Sequence, residues 1–210
     1  GHGGAVTSLV LVPAIAEAVD IPVIAAGGFA DGRGLAAALA LGAEGIAMGS
    51  RFMSTVESPV HPDMKRLAVE GEVDGTVYTD RVDGLPARVA ETRGAARLMK
   101  QRFGLVKALS NSREIARMMG FSWPKLAAGI LLSGPRNSMR MARMANGFQA
   151  FRRGTMEGDT ARGVLPLGQV AGLMHDTPTI AELIPRIVRE AEAAGDRLAA
   201  TAGAGLAEVG

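Results

Sequence analysis

The stretch from Ile21 to Phe52, IPVIAAGGFADGRGLAAALALGAEGIAMGSRF, constrains the fold more than any other part of the chain. A short apolar run, Val23 to Ala26, ends in Gly27-Gly28. Asp31 stands where an N-cap belongs, and the alanine-rich segment from Arg33 to Leu41 reads as a helix suited to close packing on a sheet, stopped by Gly42. Gly45 to Met48 is a second apolar run, followed by Gly49-Ser50 and a helix opening near Arg51. Strand, glycine turn, helix, strand and second glycine turn make a βαβ unit with parallel strands. The apolar runs predict strands covered on both faces. The strand ends at 26 and 48 are 22 residues apart, one repeat of a barrel or of a doubly wound sheet. In such a unit both glycine turns leave the C-terminal edge of the sheet. Backbone N–H groups exposed there form a seat for a phosphate, which glycine lets the chain approach with no Cβ in the way.

Around this unit the chain reads as follows. Gly1 to Gly4 is GHGG. Thr7 or Ser8 can cap a helix through about Val19, with apolar spacing for one buried face and with Pro13 bending or delaying it. Ser58-Pro59 and His61-Pro62 mark a loop, and Met64 to Glu70 a short helix. Thr76 to Thr79 is a strand, and Val82 to Val89 a turn-rich connector. Four helices are expected over 91–103, 111–119, 125–132 and 138–151. Their methionines, Met118, Met119, Met139, Met141 and Met144, read first as adaptable core and second as a ligand-lining stripe. Leu165 to Met174 is a glycine-bearing apolar run. Thr179 caps a last amphipathic helix from Ile180 to about Ala200, with Glu182 as the acid three residues on.

Composition narrows the chemistry. There is no cysteine, hence neither disulfide nor thiolate chemistry. The three histidines, His2, His61 and His175, are far apart and carry no HExxH spacing, so no metal site is expected. No run of 18 apolar residues suggests a membrane span, no leader pattern opens the chain, and a cytoplasmic location is expected. Net charge is only +2, but Arg93 to Arg153 holds 13 Lys/Arg against the single acid Glu114. That segment is either a solvated face balanced elsewhere or a patch for an anionic ligand such as a CoA nucleotide. Nucleic acid is disfavoured, because aromatic interleaving is missing.

A complete (β/α)8 barrel needs about 250 residues, and only two strong βα strands are legible, both within the first 50 of 210 residues. The expected fold class is therefore α/β: the C-terminal part of a (β/α)8 TIM barrel followed by a mostly helical subdomain. The expected division is 1–60 as C-terminal βα units, 61–165 as the helical domain, and 166–210 as a return segment and C-terminal helix on the barrel.

Three stretches, GHGG at 1–4, PVIAAGGFADGRGLAAALALGAEGIAMGSRF at 22–52 and LGQVAGL at 167–173, resemble the FMN-dependent nitronate monooxygenase (2-nitropropane dioxygenase-like) family and its relatives, the flavin-dependent enoyl reductases. Within it, DGTVYTDRVDGLPARV at 74–89 is most similar to a bacterial branch that includes flavin reductases of CoA thioesters from steroid ring breakdown. The resemblance implies a barrel with a helical second domain and FMN at its C-terminal face. It implies FMN phosphate binding by Gly27, Gly28 and Phe29 from one turn and by Gly49 and Ser50 from the other. Phe29 stands where Ile is frequent and Ser50 where Thr is frequent, and both keep the needed donor. His2 matches the family's active-site histidine, a base or electrostatic partner beside flavin and substrate. Arg51 could pair with the phosphate or a local acid, and Gln169 could reach the active site or pack. His61 and His175 read as surface or cap residues, and Lys65 as a solvated charge. The expected activity is oxidation of alkyl nitronates with O2. The alternatives are reduction of an enoyl-CoA or related CoA thioester by NAD(P)H, or a non-catalytic remnant domain. A small-molecule substrate is expected as partner, with no nucleic acid and no membrane, and a homo-oligomer is left open.

Overall fold

In the computed structural model, residues 1–100, 113, 116, 120, 122–125, 128 and 134–207 are described. They form two units: residues 4–59, 65–74 and 168–210 make one, and residues 1–3, 60–64 and 75–167 make the other.

The first unit is built on the βαβ element. Strand β1 (Ile24–Ala26) pairs in parallel with β2 (Gly45–Ala47), in the register Ile24↔Gly45, Ala25↔Ile46, Ala26↔Ala47. Helix α2 (Gly32–Ala40) connects them. Asp31 caps it as the sequence predicts, its Oδ1 accepting the Gly34 N–H at 3.0 Å. At the other end the Ala43 N–H reaches back to the Ala38 carbonyl across Gly42, the six-to-one bond of a Schellman cap. The expectation of a sheet covered on both faces is not met. Ala25 is buried among Val12, Phe29, Ala38 and Ala43, but Ile24 is 57% exposed. Two strands with helices toward one face leave the other face open.

Helix α1 (Ser8–Ala18) departs from its expectation for a related reason. Thr7 is the N-cap by backbone geometry but its hydroxyl caps nothing, and the helix runs through Pro13. Apolar side chains circle it, and only Val12 is buried, while Leu9 is 71% exposed. A single small sheet covers one stripe of such a helix, not its circumference.

The short helix α3 (Ser50–Met53) follows β2, and α4 (Pro62–Val69) follows it in the chain. A 3₁₀ turn, Gln169–Leu173, leads to the last helix. Helix α7 (Ile180–Ala207) opens with the predicted capping box. The Thr179 N–H and hydroxyl both donate to Glu182 Oε2, at 2.9 and 2.8 Å, and the Glu182 N–H returns to Thr179 Oγ1 at 3.2 Å. Leu183, Ile187 and Ala194 form its buried stripe. Helices α2 and α7 meet backbone to backbone at Gly32. A Cβ there would fall on the Glu190 side chain and on the main chain of Ile187 and Ala191, and the Gly32 N–H donates to Glu190 Oε2 at 2.9 Å.

The second unit holds an antiparallel pair, β3 (Thr76–Thr79) and β4 (Ala87–Ala90), in the register Thr76↔Ala90 to Thr79↔Ala87. Ala87–Ala90 corrects the reading of Val82–Val89 as connector throughout. Only 82–86 turns, and the strand after it is short and interrupted by Arg88, which hides its alternation. Strand β4 is paired on its other edge too, through His2↔Ala87 and Val89↔Pro166. Pairing on both edges satisfies the β4 backbone, and Ala87 and Val89 are fully buried, Val89 within a core with Val82, Ala95, Ala150 and Val164. Val89 alone then contributes roughly 1.5–3 kcal/mol of transfer free energy. Helix α5 (Arg93–Lys100) and helix α6 (Pro135–Thr155) cover this sheet. Val82, Val89, Ala95, Ala150 and Val164 form their common core. Met141 and Met144 on α6 are 41% and 47% exposed, so neither is core as expected. The helices expected over 111–119 and 125–132, with Met118 and Met119, lie for the most part outside the described residues.

Candidate functional site

The two glycine turns leave the same end of the parallel pair, since Ala26 and Ala47 are register partners and each is the last residue of its strand. Gly27 and Gly28 have φ of +93° and +88°, the left-handed region where any side chain is strained. Ser8 holds this turn from outside, its hydroxyl donating to the Gly27 carbonyl at 2.5 Å. The surface above the turns is open. A Cβ on Gly27 or Gly28 would meet only Ser8 Oγ, at 3.6 and 3.9 Å, and one on Gly49 would meet nothing within 4 Å. Gly27, Gly28 and Gly49 are exposed, and Ser50 is half-buried.

The hydrogen bonds show which donors remain. At the start of α2 the Gly32 and Gly34 N–H groups are taken by Glu190 and Asp31. The N–H groups of Gly28 and Phe29 reach no protein acceptor among the described residues. Phe29 turns its ring into the core beneath α2, 8% exposed, which leaves its main chain to face outward work. Ser50 Oγ accepts the Gly168 N–H at 2.9 Å, so its own proton remains to be donated. An open surface, unclaimed N–H groups and a free hydroxyl proton suit a phosphate.

Arg51 was open to two partners, and the structure gives it the acid. The guanidinium is 4% exposed, and its Nη2 donates to Asp176 Oδ1 at 2.6 Å and its Nη1 to the Asp176 carbonyl at 3.1 Å. Arg186 donates to the other carboxylate oxygen at 2.7 Å. Burial pushes the Asp176 carboxyl up, but the hydrogen bonds and charges of Arg186 and Arg51 outweigh it and hold it below the usual carboxylate range.

His2 belongs to the other unit. Its backbone is pinned to β4: the Gly3 N–H donates to Pro86 O at 3.2 Å, and the Arg88 N–H to Gly1 O at 2.8 Å. Tyr78 adds its hydroxyl, donated to Gly3 O at 3.0 Å. The His2 ring meets the Phe151 ring edge-on, with centroids 6.0 Å apart. Its Nε2 lies 2.7 Å from Asp83 Oδ2.

Gln169 is exposed at the head of the 3₁₀ turn rather than packed, and His175 is exposed. His61 accepts the Asp63 N–H on Nδ1 at 3.2 Å, a cap contact at the start of α4. Lys65 is not simply solvated, since its ammonium donates to Val56 O at 3.0 Å. The residues that escaped the sequence reading are Ser8, Asp83, Gly168 and Asp176. Gly168 and Asp83 lay in stretches already singled out, LGQVAGL and DGTVYTDRVDGLPARV, and Ser8 was read only as a possible helix cap, but no local signal gave their partners, and Asp176 lay in no such stretch.

The model of the nitronate monooxygenase family matches residues 1–190. A Rhodococcus jostii protein described as (3aS,4S,5R,7aS)-5-hydroxy-7a-methyl-1-oxo-octahydro-1H-indene-4-carboxyl-CoA dehydrogenase is 42% identical over 196 residues, 91% of this chain and 56% of that protein. A probable nitronate monooxygenase of Bacillus subtilis is 44% identical over 84 residues, 40% of this chain and 24% of that protein. Among solved structures, FabK from Thermotoga maritima superposes with a TM-score of 0.69 at 36% identity, covering 96% of this chain and 54% of that one. The chain thus spans about half the length of the relatives it matches most fully. Its fold is α/β, that of part of a (β/α)8 barrel enzyme.

Proposed function

The chain belongs to the nitronate monooxygenase family of oxidoreductases, and on that premise we propose that it serves FMN-dependent oxidation–reduction of a CoA thioester. The observation that carries the reading is the extent of likeness. The CoA-ester dehydrogenase matches across 91% of the chain, whereas the Bacillus nitronate monooxygenase matches across 40%. FMN, when bound, supplies the hydride chemistry. The backbone of Gly27, Gly28, Phe29 and Gly49 and the Ser50 hydroxyl hold its phosphate, a role supported by the open surface and unclaimed N–H groups there. His2 exchanges the proton of the reacting carbon, and its half-exposed ring leaves it accessible. The exposed cations Arg93, Arg97, Lys100 and Arg140 are candidates for the CoA phosphates.

Nitronate oxidation with O2 is the second reading, favoured by the family model itself. Anaerobic mixing of the FMN-loaded chain separates the two. Bleaching by NAD(P)H or by a CoA thioester, but not by an alkyl nitronate, is expected; bleaching by nitronate alone would reverse the order. His2→Ala should lower turnover by about a hundredfold with flavin still bound, and unchanged turnover would remove His2 from the chemistry.

A further inference from the structure

We infer that Asp83 is the positioning residue of His2: it selects the imidazole tautomer and leaves Nδ1 as the nitrogen that exchanges the substrate proton. This rests on the reading of His2 as the acid–base group, but the geometry that assigns Asp83 stands apart from it.

Asp83 lies 81 residues from His2 in sequence, in the turn between β3 and β4. Its side chain is 12% exposed while that of His2 is 49% exposed, so a half-open ring is anchored to a nearly closed carboxylate. A carboxylate oxygen only accepts, so at 2.7 Å the hydrogen between them sits on Nε2. In the neutral ring that puts the lone pair on Nδ1, which has no partner among the described residues. The carboxylate is itself fixed. Its Oδ1 accepts the Leu85 N–H at 3.0 Å, which leaves Oδ2 for the ring. Helix α6 closes on it at Gly147, where a Cβ would fall on the Asp83 side chain and come within 2.7 Å of Asp83 Cα and of Val82 O. Phe151, one turn further along α6, sets the ring from the side. Backbone bonds hold the chain on both sides of His2, Oδ2 holds Nε2, and Phe151 limits rotation, so a single nitrogen is presented. A buried carboxylate on one imidazole nitrogen fixes the tautomer that the other needs for proton transfer.

The test begins with the unsubstituted chain. With nitrogen-15 histidine labels, the neutral His2 ring should show its proton on Nε2, and a proton on Nδ1 would overturn the inference without reference to any activity. Asp83→Asn keeps the size and the Leu85 contact but can also donate to Nε2. With Oδ1 still accepting the Leu85 N–H, the group facing the ring is the amide N–H, so the substitution should shift His2 toward the Nδ1–H tautomer and lower kcat on the order of tenfold with KM little changed. In the His2→Ala background the same substitution should have no further effect on kcat, because Asp83 acts only through the ring. An unaltered tautomer in Asp83→Asn, or a loss of kcat that persists in the His2→Ala background, would make Asp83 a structural residue only. His2→Ala alone tests the underlying reading, so the two failures are separable.

Discussion

Gly49→Ala tests the phosphate seat with little interference from folding. Gly49 sits at φ −82° and ψ −67°, in the ordinary right-handed region, and a Cβ there meets no atom within 4 Å. The substitution therefore strains nothing and strikes nothing. By narrowing the unfolded ensemble it should stabilise by about 0.4–1 kcal/mol, a rise in Tm of roughly 1–4 °C for a chain of this size. Binding should move the other way. The Gly49 turn is open surface to the protein, and on the proposed reading it is space that a bound phosphate would occupy. Displacing one hydrogen bond to a charged group loses about 1.5–3 kcal/mol, or roughly a tenfold to hundredfold rise in Kd. FMN titration followed by flavin fluorescence, with inorganic phosphate as competitor and thermal unfolding in parallel, reads both effects. Gly27→Ala cannot separate them, because its φ of +93° adds backbone strain of about 1–2 kcal/mol. An unchanged FMN affinity in Gly49→Ala would refute the seat. So would a loss of affinity that merely tracks a fall in Tm.

Gly32→Ala should cost about 1–3 kcal/mol, since the new methyl meets the backbone of α7, which cannot rotate away; an unchanged Tm would contradict the α2–α7 contact. Acid should destabilise the first unit through Asp176, Asp31 and Glu182, each held below its usual value. At Asp176 and Asp31 burial opposes the shift but arginine partners outweigh it, and at Glu182 the Thr179 N–H lowers it first. Depressed carboxyls stabilise fully above the unfolded range near about pH 4 and lose that stabilisation as pH falls through the lower folded values. Urea midpoints should thus be level from neutrality to about pH 4 and fall below it, and a fall beginning near pH 6 would contradict this origin. Asp176→Asn should flatten that acid slope and cost about 2 kcal/mol, below the range for a fully buried pair because Asp176 is 44% exposed; an undiminished slope would deny Asp176 its part.

Much of the local architecture was legible in residue order. Asp31 and Gly42 bracketed α2, Thr179 and Glu182 announced α7, and the two glycine turns bounded β1 and β2. These signals are legible because capping, turn formation and helix termination involve groups within a few residues of one another. Burial was less so. Apolar runs in β1 and α1 predicted covered faces, yet Ile24 and Leu9 are exposed, because coverage depends on how many neighbouring elements the unit supplies. Strand β4 was missed since Ala87 and Val89 alternate with Arg88 over only four residues, too short a pattern to distinguish from a turn.

Residue order by itself determined the parallel unit, its two glycine turns and the presence of a histidine beside glycines at 1–4. Only the tertiary structure decided the partners: Asp83 for His2, Asp176 for Arg51 and the Gly168 N–H for Ser50, at separations of 81, 125 and 118 residues. Their physical reason is shared. A buried charge or a directional donor takes whichever complement the fold brings within about 3 Å, and that distance is set by packing between remote segments rather than by any spacing along the chain.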